Sequence, residues 1–329
     1  MNSGALMSGY SDRTVLYYLK QYVKSREAKK SSKNQYLLKL NVLSKTTFVN
    51  RPVSQIRVAD AKRFLIELKI ERDVTYSTIS GYGRMLKGAF TIALEDEVVL
   101  RNPFAIDMSF LHDDGEAKRK KAIALTRQQQ SEFMSFIWNS AKCRKYYNEI
   151  MIMLGTGMRI GELCGLTEEE IDFANDRIEI KHQLALDSWE LVSPKTENSY
   201  RFIPMSNVVR SCLIDAIENR TEKKIVGFYK QNRFLFSTNT GHPYSRCVVL
   251  QHLKRCIDKY NETYPDKLLP EFTPHSLRHT FCTNMVEAGA LPKDLQYIMG
   301  HSRLEMTMDY YTHYQWDLID SKTKQAVNR

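Results

Sequence analysis

Cysteine is scarce in this sequence and carries no pattern. Six occur in 329 residues, Cys143, Cys164, Cys212, Cys247, Cys256 and Cys282. None forms a CxxC pair and none is followed by a ligand-spaced histidine, which argues against a disulfide framework and against structural zinc. Reduced, mostly buried thiols of a cytosolic protein are the expectation. Long apolar runs are missing too. Nothing approaches the roughly 18 residues that a membrane span needs, so no membrane partner is expected. Met1 to Ser11 has no apolar core of signal-peptide length, which argues against secretion. There is no GxxxxGK[ST] phosphate loop, no evident carboxylate cluster for a metal and no internal repeat. Neither cofactor nor metal is expected.

What is present is ordinary globular composition, 43% hydrophobic and 26% charged. The length suggests two domains. The net charge is +10, and it is unevenly spread: residues 1–112 hold 18 basic and 10 acidic side chains, residues 113–329 hold 30 and 28. The excess sits in the first third. Lys and Arg gain free energy by releasing counterions from phosphates, so that third reads as a nucleic-acid clamp.

Residues 13–112 read as four helices: one capped by Asp12 and running through Val15, Leu16, Leu19 and Val23, a second over about 33–48, a third over Val58–Ile70 and a fourth over Ser77–Glu95. Residues 113–124 are a polar linker with the basic run Lys118-Arg119-Lys120-Lys121. From 125 onward Thr126 caps a helix, Tyr146–Leu154 begins another, and 177–181, 191–192 and 200–203 read as three short strands of one small antiparallel sheet. Helices return at Ser206–Arg220, Tyr244–Tyr260, Thr273–Gly289, Pro292–Gly300 and about Glu305–Asp317. Residues 1–12 read as a leader or tag. The fold class is mostly α with a small antiparallel sheet (α+β).

Five segments carry chemistry-bearing side chains. In Thr156-Gly-Met-Arg159-Ile-Gly-Glu162-Leu, a glycine loop delivers an arginine to a helix start, and Glu162 shares its face. In Ser193-Pro-Lys195-Thr-Glu-Asn-Ser-Tyr-Arg201, a turn between two predicted strands carries Lys195 as its charged end. Thr273-Pro-His275-Ser-Leu-Arg278-His279-Thr-Phe puts His275 and Arg278 on one face of a helix N-terminus, a place that favours anions. His279 lies one step further round and reads as packing or support. Ile298-Met-Gly-His301-Ser presents His301 after a helix-ending glycine, and Met306-Thr-Met-Asp-Tyr310-Tyr311-Thr-His313 lies on a terminal amphipathic helix.

In that order the segments resemble the tyrosine recombinase (lambda-integrase-like) family over about residues 125–315. The Pro-Lys-Thr-x-x-Ser-x-Arg and Tyr-Thr-His segments look most like integrases of phages and conjugative transposons. The resemblance implies a SAM-like helical core-binding domain at 13–112 and a catalytic domain at 125–329 with a C-terminal exchange tail. It implies catalytic Arg159, Lys195, His275, Arg278, His301 and Tyr311. The family nucleophile lies nine or ten residues after the Gly-His histidine, so Tyr310 and Tyr311 both qualify by distance. The Tyr-Thr-His context selects Tyr311. Implied too are double-stranded attachment or crossover DNA, a homotetramer on that DNA, accessory directionality or bending factors, integration and excision of a mobile element, and a cytoplasmic, nucleoid-associated location. Two other functions would use similar parts: a type IB topoisomerase-like nicking and resealing enzyme, and a non-catalytic DNA-binding protein.

Overall fold

The structure is a computed structural model that describes residues 12–26, 30–112, 123–185, 190–193, 199–219 and 233–311, without the side chains of 30–32. The chain divides into two compact units, Met1–Arg119 and Lys120–Arg329. The expected leader, most of the linker, Lys195 and the expected exchange tail lie outside the described residues.

The first unit holds helices α1 (Val15–Ser25), α2 (Lys30–Leu43), α3 (Val58–Arg72) and α4 (Tyr76–Glu95), with short 3-10 turns between and after them. Val15, Tyr18, Leu19, Tyr22 and Val23 recur at helical spacing and form the buried face of α1. That face packs on α4. Gly88 of α4 lets it come close, because a Cβ there would lie 2.1 Å from the Tyr22 ring. Two expectations are corrected. The cap of α1 is Thr14, whose hydroxyl accepts the Tyr17 N–H at 3.3 Å; Asp12 stands too far from the first helical residue. And α2 stops at Leu43, because Phe48 and Val49 are buried from a separate tight turn over Thr47–Asn50, where Phe48 stacks on Phe64 with 4.0 Å between ring centroids.

The second unit is built on α5 (Arg127–Asn139), α6 (Tyr147–Thr156), α7 (Ile160–Gly165), α8 (Asn207–Glu218), α9 (Arg246–Thr263), α10 (Pro274–Glu287), α11 (Pro292–Met299) and α12 (Glu305–Tyr311). Its strands are β1 (Ile171–Asp172), β2 (Arg177–Ile180), β3 (Gln183–Leu184), β4 (Leu191–Val192) and β5 (Arg201–Pro204). Thr126 opens α5 with a reciprocal box: its hydroxyl accepts the Gln129 N–H at 3.2 Å, and the Gln129 side-chain Oε1 accepts the Thr126 N–H at 3.0 Å. The apolar α6 packs against α8 and α10. Around it Phe133, Ile137, Ile150, Met153, Leu163 and Leu277 form the main core.

The strands form two sheets, not the one expected. β1, β2 and β5 pair antiparallel in that order, with Ile178 opposite Ile203. Leu191–Val192 instead pairs with Gln183–Leu184. Leu191–Val192 and Arg201–Pro204, which flank the Lys195 segment, therefore pair in separate sheets and not with each other. Beyond the β3–β4 pairs the Ala185 N–H donates to the Glu190 carbonyl at 2.8 Å.

All six cysteines are free, and all but Cys247 are buried. Among the described residues no helix is long and apolar enough to cross a membrane, and no three His, Cys, Asp or Glu side chains gather as a metal site.

Candidate active site

Helix α6 ends at Gly157, whose left-handed φ of 64° turns the chain toward Arg159. Arg159 is the N-cap of α7. Its backbone N–H donates to Glu162 Oε2 at 2.7 Å while its Nη1 donates to Glu162 Oε1 at 3.0 Å. The pairing read from the i, i+3 spacing is thus a helix cap and an ion pair at once.

Glu162 also binds a second arginine. Arg201 Nη1 and Nη2 donate to its two carboxylate oxygens at 2.9 and 2.8 Å, with the Arg201 side chain fully buried. Burial alone would push the Glu162 carboxyl up. The bonds and charge of Arg201, with the charge of Arg159, outweigh that and hold it at about 2.

A third arginine, Arg278, comes from the first turns of α10. It is buried and donates from Nη1 to the Gly157 carbonyl at 2.6 Å and from Nη2 to the Met299 carbonyl. Burial, with the charge of nearby Arg159, pushes it down to about 9, so it is still a cation at neutral pH.

One helix end gathers all three. Arg201 Nε donates to the Ile298 carbonyl at 2.6 Å, Arg278 to the Met299 carbonyl, and Arg159 Nη2 to the Gly300 carbonyl at 2.8 Å. These are consecutive carbonyls at the C-terminus of α11, the negative end of a helix dipole. Gly300 takes φ 60° there, and a Cβ on it would stand 3.2 Å from Arg201 Nη1. Three cations against one carboxylate leave a net positive site, which suits an anion.

The histidines around it are kept neutral. Burial first, then the neighbouring arginines, pushes His301 down to about 4. Its Nδ1 lies 2.9 Å from the Thr307 hydroxyl. With that hydroxyl donating, the proton sits on Nε2 and makes it a hydrogen-bond donor. Burial and the charges of Arg278 and Arg159 push His275 down as well. His279 packs edge-on against His275, 4.5 Å between centroids, and burial with His275 and Arg278 brings it down to about 4.

The two tyrosines of α12 part company. Tyr310 places its hydroxyl 2.5 Å from His279 Nδ1, and the charge of Arg278 reaches it. Burial nonetheless raises its phenol well above the usual range. The Tyr311 hydroxyl donates to the Ala290 carbonyl at 2.5 Å. Of the six side chains singled out from the sequence, Arg159, His275, Arg278 and His301 are brought into mutual electrostatic reach. Tyr311 is instead held in a hydrogen bond to the Ala290 backbone, and Lys195 falls outside the described residues.

The Phage integrase family matches residues 124–316. The chain belongs to the phage integrase family. The transposase from transposon Tn916 of Enterococcus faecalis is 35% identical over 311 residues, covering 94% of this chain and 76% of the relative. The tyrosine recombinase XerC of Bacillus pumilus is 26% identical over 80% of this chain and 79% of its own length. Among solved structures, the Tn1549 transposon integrase in complex with a circular intermediate DNA superposes with a TM-score of 0.88 at 33% identity, covering 95% of this chain and 99% of that one. The chain is accordingly a site-specific tyrosine recombinase of the integrase type, an enzyme acting on DNA. The topoisomerase-like and non-catalytic readings give way to it.

Sequence reasoning underrated two members of this recombinase site. Arg201 was visible only as the last residue of the Pro-Lys-Thr-x-x-Ser-x-Arg segment. Its signal is strand register: β5 alternates buried and exposed, and Arg201 takes an inward position with Ile203. Thr307, fully buried, carried no signal beyond lying six residues after His301.

Proposed function

We propose that this recombinase integrates and excises a mobile genetic element by cutting and rejoining duplex DNA through a 3′-phosphotyrosyl intermediate. The observation that carries the reading is the cluster of Arg159 and Arg278 on adjacent carbonyls, beside neutral His275 and His301. A phosphodiester resists attack because its oxygens are anionic. Each terminal guanidinium nitrogen bears two hydrogens, so a bond to a carbonyl leaves another for a phosphate oxygen. Arg159 and Arg278 clamp the two non-bridging oxygens and neutralise the charge that grows in the pentacoordinate state. His301 adds a hydrogen bond to the same oxygens.

Tyr311 is the nucleophile. A free phenol titrates near pH ~10, so it needs a base or a cationic field. His275, neutral at pH 7, takes the phenolic proton. The bond from Tyr311 Oη to phosphorus forms, the bond from phosphorus to the 5′ oxygen breaks, and Lys195 protonates the departing oxygen. The link conserves the energy of the broken bond, so rejoining needs no nucleotide. The arginines supply the positive charge that cations supply at many phosphoryl-transfer sites.

Residues 13–112, with their basic excess, grip the DNA as a core-binding domain, and the linker 113–124 lies along its backbone. Four strand cuts require four protomers, so the working form is a homotetramer on two duplexes. The tail after Tyr311 packs on a neighbouring protomer and switches its site. Directionality or bending factors assist, and the complex works in the cytoplasm on the nucleoid. The likeness to the Tn1549 integrase bound to circular intermediate DNA and to transposon right end DNA supports a transposon end or its circular intermediate as the DNA.

The test is a nicked suicide duplex carrying the attachment sequence from the element's own ends, incubated in EDTA. A covalent protein–DNA band is expected with the native chain and not with Tyr311→Phe. A strict requirement for magnesium would contradict the mechanism.

A further inference from the structure

Helix α7 carries Arg159 at its N-cap and meets β3 at its other end. Its last residue, Gly165, comes so close that a Cβ there would stand 2.8 Å from the Leu184 backbone nitrogen. One side chain fastens this contact of backbone on backbone. His182, the residue before β3, holds Nε2 3.1 Å from the Gly165 carbonyl. A carbonyl only accepts, so the proton sits on Nε2. Burial favours the neutral ring and pushes His182 below the usual histidine value. Glu170 stands beside it, with Oε1 3.3 Å from the same Nε2. That oxygen is buried and makes no hydrogen bond of its own among the described residues, while Oε2 accepts the Thr167 N–H at 2.9 Å. The ribbon of β3 and β4 depends on such a fastening. It has two residue pairs, Gln183 with Val192 and Leu184 with Leu191, and two strands alone are marginal in water. Leu184 is buried in the main core and Leu191 packs on it, but apolar contact is non-directional and does not fix where the ribbon sits along α7. A hydrogen bond to one carbonyl does.

We propose that His182 is a positioning residue for proton delivery to the departing 5′ oxygen: it ties the ribbon β3–β4 to the helix that begins at Arg159. Val192 ends β4, and Lys195 follows three residues later in the chain. The inference rests on the reading of Lys195 as general acid. The strand that leads to the proton donor and the helix that carries a phosphate-clamping arginine then share one frame, with His182 as the joint. Without the His182 bond, Arg159 keeps its pairing with Glu162 and its bond to the Gly300 carbonyl, and the core still holds Leu163 and Cys164 of α7. The ribbon is the looser partner, so losing His182 harms proton delivery and spares the clamp.

The test exchanges the leaving atom. With sulfur in place of the bridging 5′ oxygen, the tyrosyl oxygen attacks phosphorus as before, the phosphorus–sulfur bond breaks and its electron pair leaves on sulfur. A thiol, with a pKa of ~8.5, is acidic enough to depart as thiolate without a proton donor. Single-turnover adduct formation is measured on nicked suicide duplexes with 5′ oxygen or 5′ sulfur, for the native full-length chain, His182→Ala, His182→Leu, His182→Gln and Lys195→Ala at saturating protein. On oxygen, His182→Ala and His182→Leu are expected to be about 10- to 100-fold slow, the scale of a misplaced catalytic group. On sulfur both should match the native chain, which a misfolded protein would not. His182→Gln, whose amide can donate to the Gly165 carbonyl, should recover most of the rate on oxygen. Lys195→Ala should be slow on oxygen and recover on sulfur. Native rates on oxygen for both His182→Ala and His182→Leu, or equal slowing of both on the two substrates while Lys195→Ala recovers, overturns the role of His182 and leaves Lys195 as the acid. Lys195→Ala equally slow on both substrates overturns the reading of Lys195 and this inference with it.

Discussion

At the scale of single residues, the site depends on Glu162. It is buried, and the two guanidinium groups keep it ionised. Its pKa is depressed, so the stabilisation is complete above the unfolded carboxylate range and disappears as pH falls from there toward 2. A fall from 4.5 to about 2 corresponds to roughly 3 kcal/mol. The histidines add in the same sense: His279 and His301, brought to about 4, resist protonation in the fold, so acidification below the unfolded histidine value of ~6.5 already favours unfolding. Chemical unfolding at pH 7, 5 and 3 should show stability dropping at each step. Glu162→Gln leaves Arg201 buried without its counter-charge and should cost about 3–5 kcal/mol at pH 7 by the same measurement. Arg278→Lys keeps the charge but loses the planar fork. It is expected to slow cleavage by about 10²–10³-fold with DNA binding retained, read by adduct formation alongside a binding titration. Arg159, His275, Arg278 and His301 were singled out through the order of their segments, which resembles that of a family; alone, Arg159 with Glu162 reads as a surface ion pair and His301 as structural, and only His275 with Arg278 on one helix face is unusual in itself. Arg201 was not singled out, since an arginine in a strand normally reads as solvent-facing, and only the carboxylate 39 positions away explains its burial.

At the scale of elements, the site is made by helix ends. The C-terminus of α11 offers three successive carbonyls to three arginines, the N-cap of α7 delivers one of them, and the first turns of α10 another. The turn at Gly157 sets where α7 begins. A Cβ there would meet the Phe281 ring at 2.4 Å and would have to accept a left-handed backbone. Gly157→Ala should therefore destabilise the fold by about 2–4 kcal/mol, from strain and overpacking together, and thermal unfolding measures it. Helix starts were largely readable, as Thr126, Ser206 and Thr273-Pro274 show, because a cap is a local chemical requirement. The two-residue strands β1 and β3 were not: two residues have no periodicity, and their partners are fixed by register in a folded sheet. The same blindness set Lys195 between two strands of one sheet.

At the scale of the molecule, two compact units carry unequal charge, with most of the basic excess in the first. If that excess meets the DNA backbone, affinity for duplex must fall steeply with salt. The logarithmic slope of affinity against salt concentration should be about −4 or steeper, since each neutralised phosphate contributes about −0.9. A binding titration of the full chain between low and physiological salt measures it, and a flat response would remove the clamp from the account. Length and the uneven charge raise the expectation of two domains, whereas the residues after Tyr311 lie outside those described.

The most direct test of the whole account is where the DNA becomes attached. A suicide-substrate adduct, digested with trypsin and nuclease, yields one peptide that contains both Tyr310 and Tyr311. Fragmentation by mass spectrometry is expected to place the nucleotide remnant on Tyr311, attached through a 3′ phosphate. A remnant on Tyr310, on any serine, or no covalent remnant at all would contradict it.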